Sequence, residues 1–161
     1  MTMAPEAGQT APDFRRPTAD GGGRSLADCR GRWLVLFFYP KADTPGCTLE
    51  ARAFMERKAG FDAAGADILG ASRDGVEQNA AFAAKHGLAY PLLCDEDRSL
   101  HEAYGVLVEK TQYGKKVLGV DRSTFLIDPD GKIAKIWRDV RPAGHAEEVL
   151  GALTVLRSAR P

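Results

Sequence analysis

The chain has 161 residues, which suits one compact domain, and its 22 basic and 22 acidic residues give a formal net charge of zero. That balance favours neither nucleic acid nor an anionic membrane surface as a partner. Hydrophobic residues make up 44% of the chain, enough for a sizeable core, yet no apolar run nears the ~20 residues of a membrane span.

Met1 to Ala11 reads as a loose tail, and Met1 to Pro12 lacks the basic and apolar regions of a secretory signal. A cytoplasmic location is the expectation. Gly21, Gly22 and Gly23 read as a flexible loop between short strands, since no G-x-G-x-x-G pattern follows a strong strand. Trp33 to Tyr39 is apolar at every position, rich in aromatic and β-branched residues, and followed by Pro40. Such a run predicts a central strand covered on both faces. Thr48 to Ala64 predicts a helix stopped by Gly65.

Ala66 to Ser72 predicts the next strand, and Val76 to His86 a helix ended by Gly87. Tyr90 to Cys94 predicts a short strand, with a short helix around Leu100 to Tyr104. Val117 to Asp121 is expected to pair with a neighbour. Ser123 to Asp128 and Lys132 to Trp137 flank the turn residues Pro129-Asp130-Gly131, a strong hairpin pattern. Glu147 to Arg157 closes the chain as an amphipathic helix with Val149, Leu150, Leu153 and Leu156 on one face. The order implies an α/β fold with a mixed central sheet, in one domain with no linker and no repeats.

The three cysteines, Cys29, Cys47 and Cys94, are odd in number and widely spaced, which is no disulfide framework. No pair has zinc-ligand spacing, His86, His101 and His145 are scattered, and neither metal nor cofactor is called for. Cys47 stands out because Phe38-Tyr39-Pro40-Lys41-Ala42-Asp43-Thr44-Pro45-Gly46-Cys47 leaves a buried strand and enters a helix. Open α/β sheets place ligand sites at that edge. A helix N-terminus offers free amides and a positive dipole end, which favour the thiolate, the reactive form of cysteine. Pro45 suits the first helical turn and Gly46 permits close backbone approach.

Pro40-x-x-x-Thr44-x-x-Cys47 resembles the active-site motif of the peroxiredoxins, and the longer string through Glu50 resembles the peroxiredoxin Q, or bacterioferritin comigratory protein, branch. Ala11-Pro12-Asp13-Phe14 looks like that family's opening strand, and Arg122 to Asp128 like its arginine-bearing strand, so the likeness spans essentially the whole chain. The resemblance implies a thioredoxin-like fold and reduction of hydrogen peroxide and organic hydroperoxides. Cys47 would attack the peroxide and become a sulfenic acid. Thr44 would offer its hydroxyl to thiolate and peroxide, Arg122 would hold the developing negative charge, and Pro40 would shield the pocket. Glu50, on the same helix face as Cys47, would orient Arg122 or polar groups nearby.

The pattern departs from the branch at the second thiol. Many members carry a resolving cysteine five residues after the first, where this chain has Arg52, and others carry it in the helix matching Val76 to His86, which has none here. Cys94 is the next candidate, since a right-handed crossover brings its strand end to the sheet edge of Cys47. Cys29 precedes the central strand and belongs at the opposite edge. The expectation is therefore a one-cysteine peroxidase recycled by an external thiol such as thioredoxin, as a monomer or weak homodimer. Two-cysteine recycling through Cys94 is the alternative, as is a catalytically silent binding or chaperone-like module. Cysteine phosphatase chemistry does not fit, because Arg52 follows Cys47 after four residues rather than five, and Cys-x-x-Cys exchange fails because Glu50 holds the second position.

Overall fold

The computed structural model describes residues 4–160. Its centre is a five-stranded mixed sheet in the order β5-β4-β3-β8-β9. In chain order, these strands are β3 (Trp33–Phe38), β4 (Ala66–Ser72), β5 (Leu92–Cys94), β8 (Ser123–Ile127) and β9 (Ile133–Trp137). Strands β3, β4 and β5 run parallel, while β8 is antiparallel to both β3 and β9. Two separate hairpins, β1 (Arg15–Pro17) with β2 (Gly23–Ser25) and β6 (Leu107–Gln112) with β7 (Lys115–Val120), complete the strands.

The uniformly apolar third strand is explained by the two layers it separates. Trp33, Val35, Phe37 and Tyr39 face the helices α1 (Pro45–Glu56), α2 (Lys58–Ala63), α3 (Val76–His86) and α5 (His145–Ala159). Leu34, Leu36 and Phe38 point the other way, toward Phe14, Leu26, Tyr104 and Val120 and the short helix α4 (Ser99–Ala103). Alternating side chains cannot be half polar when both faces are covered. The helical layer is pinned by Phe37 stacked on Phe54 of α1, with ring centres 4.6 Å apart. No described helix is long and apolar enough to cross a membrane.

The strand over Ala66–Ser72, the helix over Val76–His86 and the β8–β9 hairpin stand where the pattern placed them. Three expectations need correction. The helix expected over Thr48 to Ala64 starts at Pro45 and breaks at Arg57 into α1 and α2. The break turns Phe61 into the core and sets Gly60 against Leu150 of α5, where an added Cβ would come within 3.0 Å. The opening strand expected at Ala11 to Phe14 begins instead at Arg15.

Most of the expected loose tail is held. Gly8 N–H donates to Ile133 O at 2.7 Å, Ile133 N–H to Gln9 O at 2.9 Å, and Ala11 N–H to Gly131 O at 2.9 Å. Met1 to Met3 lie outside the described residues. The segment thus lines the outer edge of β9, while Ala19 N–H donates to Leu92 O on the opposite edge strand, at 3.0 Å. The pairing expected for Val117 to Asp121 is present over Val117 to Val120, with the strand Leu107–Gln112, which the pattern had not marked, as the neighbour.

Candidate active site

The C-terminal ends of β3 and β4 and the start of β8 share one edge of the sheet, because β8 runs against the other two. From that edge the chain after Tyr39 turns into α1, and Cys47 sits in its first turn. Thr44 is the N-cap residue, and Thr48 N–H donates to its carbonyl at 2.8 Å. No side chain caps the helix, and no acidic residue lies in its first turn. The dipole end is thus left to whatever anion occupies the site.

Arg122, just ahead of β8, closes the site from the other side. Its Nη2 lies 3.4 Å from Cys47 Sγ and its Nη1 donates to Glu50 Oε1 at 2.8 Å. Glu50 is one turn along α1 from Cys47 and fully buried. Burial pushes its carboxyl up to about 7 against the opposing pull of Arg122. Burial also opposes charge on Arg122, but Glu50 and Cys47 outweigh it, so its pKa is raised. Glu50 Oε2 has no hydrogen-bond partner among the described residues. The approach depends on Gly46, since a Cβ there would stand 3.1 Å from Arg122 Nη2.

Of the residues singled out in the sequence, the structure brings Cys47, Arg122 and Glu50 into one connected group. Pro40 is half-buried at the turn after β3. Thr44 departs from expectation: its hydroxyl donates to Lys41 O at 2.7 Å, within its own loop, and not to Cys47. The three-residue reach back to Lys41 closes the turn, and a single hydroxyl proton cannot serve both.

Cys94 ends β5 at the same edge, facing the same layer as Leu92, but two strands from β3. Its Sγ is 3.5 Å from Asn79 Nδ2, and Asn79 Oδ1 accepts from Tyr39 OH at 2.5 Å. All three cysteines are free, and burial raises the Cys94 pKa, helped by Glu96, Asp74 and Asp20. Cys29 lies before the start of β3, and burial pushes its thiol up to about 11.

Sequence reasoning missed Asp74 and Asn79, which tie the site loop to the β4–α3 turn. Ala42 N–H donates to Asp74 Oδ2 at 2.8 Å. The available signal was positional: Ser72-Arg73-Asp74 leaves the C-terminal end of a strand parallel to β3, at the edge where ligands bind.

The AhpC/TSA family model matches residues 7–136. The chain belongs to this family. Peroxiredoxin Bcp of Xanthomonas campestris pv. campestris is 49% identical over 145 residues, covering 89% of this chain and 91% of that one. Peroxiredoxin Bcp of Bacillus subtilis is 42% identical over 151 residues, covering 94% and 96%. Among solved structures, a peroxiredoxin Q from Xanthomonas campestris superposes with a TM-score of 0.89 at 45% identity, over 94% of this chain and 98% of that one. A yeast mitochondrial 1-Cys peroxiredoxin, whose thiol resolution is described through glutathione/thioredoxin systems, matches with a TM-score of 0.82 at 25% identity, over 96% and 77%. The thioredoxin-like peroxiredoxin fold and the resemblance to the Q branch both stand, and the chain is a thiol peroxidase.

Proposed function

We propose that Cys47 reduces hydrogen peroxide and organic hydroperoxides by a one-cysteine cycle, in a single cytoplasmic domain needing no cofactor. The observation that carries this reading is Arg122 Nη2 at 3.4 Å from Cys47 Sγ, at the mouth of an uncapped helix. The thiolate attacks one peroxide oxygen, an S–O bond forms and the O–O bond breaks. The departing oxygen takes a proton and leaves as water or an alcohol. Arg122 and the first amides of α1 stabilise the charge as it spreads over sulfur and both oxygens. Pro40 limits water access from the strand side. Thr44 acts through the loop by its bond to Lys41, with its lone pairs left for a peroxide proton.

An external thiol then condenses with the sulfenic acid, releasing water and forming a mixed disulfide, which a second thiol reduces. Arg52 is exposed on α1 where a partner thiol would stand, and α3 has no cysteine. Cys94, buried against Asn79 with a raised pKa, is poorly suited to attack.

Intact-mass spectrometry after stoichiometric hydrogen peroxide is the test. The expected result is one added oxygen on the wild type within minutes and none on Cys47→Ser. No addition to the wild type overturns the reading. A Cys47–Cys94 bond in a non-reducing peptide map would replace the one-cysteine cycle with a two-cysteine one.

A further inference from the structure

Cys47 is buried, with 1% of its surface exposed. A peroxide is small, but the sulfur of an external thiol cannot meet a sulfenic acid at that depth without movement of the surrounding turn. What holds this turn is therefore what sets access to Cys47. The helix gives little help of its own, since α1 has no side-chain cap and the Thr44 hydroxyl is engaged with Lys41 O.

The anchors come from the turn between β4 and α3. Asp74 Oδ2 accepts Ala42 N–H at 2.8 Å and also Ser72 Oγ at 2.9 Å. Ser72 Oγ in turn accepts from Asn79 Nδ2 at 3.1 Å, and Asn79 Oδ1 holds the Tyr39 hydroxyl. One polar network thus grips Tyr39 before Pro40 and Ala42 after it. A second tether, Asp43 to Lys85 Nζ at 3.1 Å and His86 Nε2 at 3.3 Å, is exposed, and exposed pairs of this kind contribute little. Asp43 also sits at φ +63°, a conformation that has to be held by its surroundings.

We propose that Asp74 is a positioning residue for the peroxidase reaction, a latch on the Ala42 amide that keeps the first turn of α1 formed and Cys47 beneath it. With the latch closed, Cys47 is held opposite Arg122, as peroxide attack requires. With it released, Cys47 or its sulfenic acid becomes reachable by larger thiols. Asp74 thereby sets the balance between the two halves of the cycle. The role in turnover rests on Cys47 being the nucleophile, whereas the latch itself does not.

The test compares wild type, Asp74→Ala and Asp74→Asn, the last keeping an oxygen acceptor without the charge. Labelling of Cys47 by a bulky maleimide, resolved by peptide mapping, reads the open turn, and the second-order rate with hydrogen peroxide reads the closed one. Losing a charge-assisted bond should raise Cys47 labelling about tenfold in Asp74→Ala and lower its peroxide rate about tenfold, with Asp74→Asn in between. Unchanged Cys47 labelling in Asp74→Ala overturns the latch. An equal rise at Cys29 and Cys94 overturns it too, since that is general loosening. If wild-type Cys47 gains no oxygen from peroxide, the peroxidase reading falls while the labelling contrast still decides the latch.

Discussion

Cys47 and Cys94 share more than the different roles proposed for them suggest. Both lie at one edge of the sheet, both face the same helical layer, and they are 1% and 3% exposed. Cys47 meets the amides of a helix start and a guanidinium 3.4 Å away. Cys94 meets an amide at 3.5 Å, with carboxylates of Asp20, Asp74 and Glu96 beyond. Burial alone therefore does not tell the two thiols apart. In the reading proposed above, the sign of the charge arranged around each one does.

The contrast breaks most severely if the guanidinium is removed. Arg122→Leu should slow the reaction of Cys47 with peroxide by about 100- to 1,000-fold, the cost of losing one fixed donor to the developing charge. Stopped-flow measurement of sulfenic acid formation checks this, and a loss under about tenfold would mean that the helix amides carry the site without it.

A second way to sharpen it uses Glu50, the carboxyl on the far side of Arg122. Folded Glu50 keeps its proton up to about 7, against an ordinary value of 4.5. Between those values the folded chain binds more protons than the unfolded one, so Glu50 makes stability fall as pH rises through that window. Glu50→Gln removes the fall. Relative to wild type, the variant should gain about 1–3 kcal/mol on going from about pH 5 to about pH 8, measured by urea melts at each pH. The smallest effect belongs to the other thiol: Cys94→Ala should leave turnover with an external thiol within about twofold of wild type, because the proposed one-cysteine cycle makes no use of its sulfur. A collapse of steady-state turnover there, with sulfenic acid formation intact, would give Cys94 the resolving role.

The parts of this picture legible in the sequence were those with local causes. The apolar run from Trp33 to Tyr39 pointed to the strand Trp33–Phe38 covered on both faces, and Pro45-Gly46-Cys47 marked the approach to a helix with room for a close neighbour, though not its first residue. The β6–β7 hairpin was half missed because Glu109 to Gln112 is polar and exposed throughout, with no inward face to set an alternation. Its turn, Tyr113-Gly114, has positive φ at both positions, a geometry Gly announces but Tyr does not. Thr44 was misdirected for a similar reason: a hydroxyl beside a carbonyl within its own turn satisfies it locally, and no spacing rule reveals that competition. Asp74 carried a positional signal alone, because its partner is the backbone amide of Ala42, 32 residues away, which no side-chain pattern records.

Residues 8–19 bear on how the protein behaves in a crowd of its own copies. Gly8 to Ala11 occupy the outer side of β9 at its start, and Thr18 and Ala19 do the same for β5. An unpaired strand edge is a template for joining another chain, and proteins blunt it by covering it. This stretch thereby takes up backbone groups at both edges of the sheet that another chain could otherwise pair with. Shortening the chain by a dozen residues from this end would cost solubility before it cost chemistry.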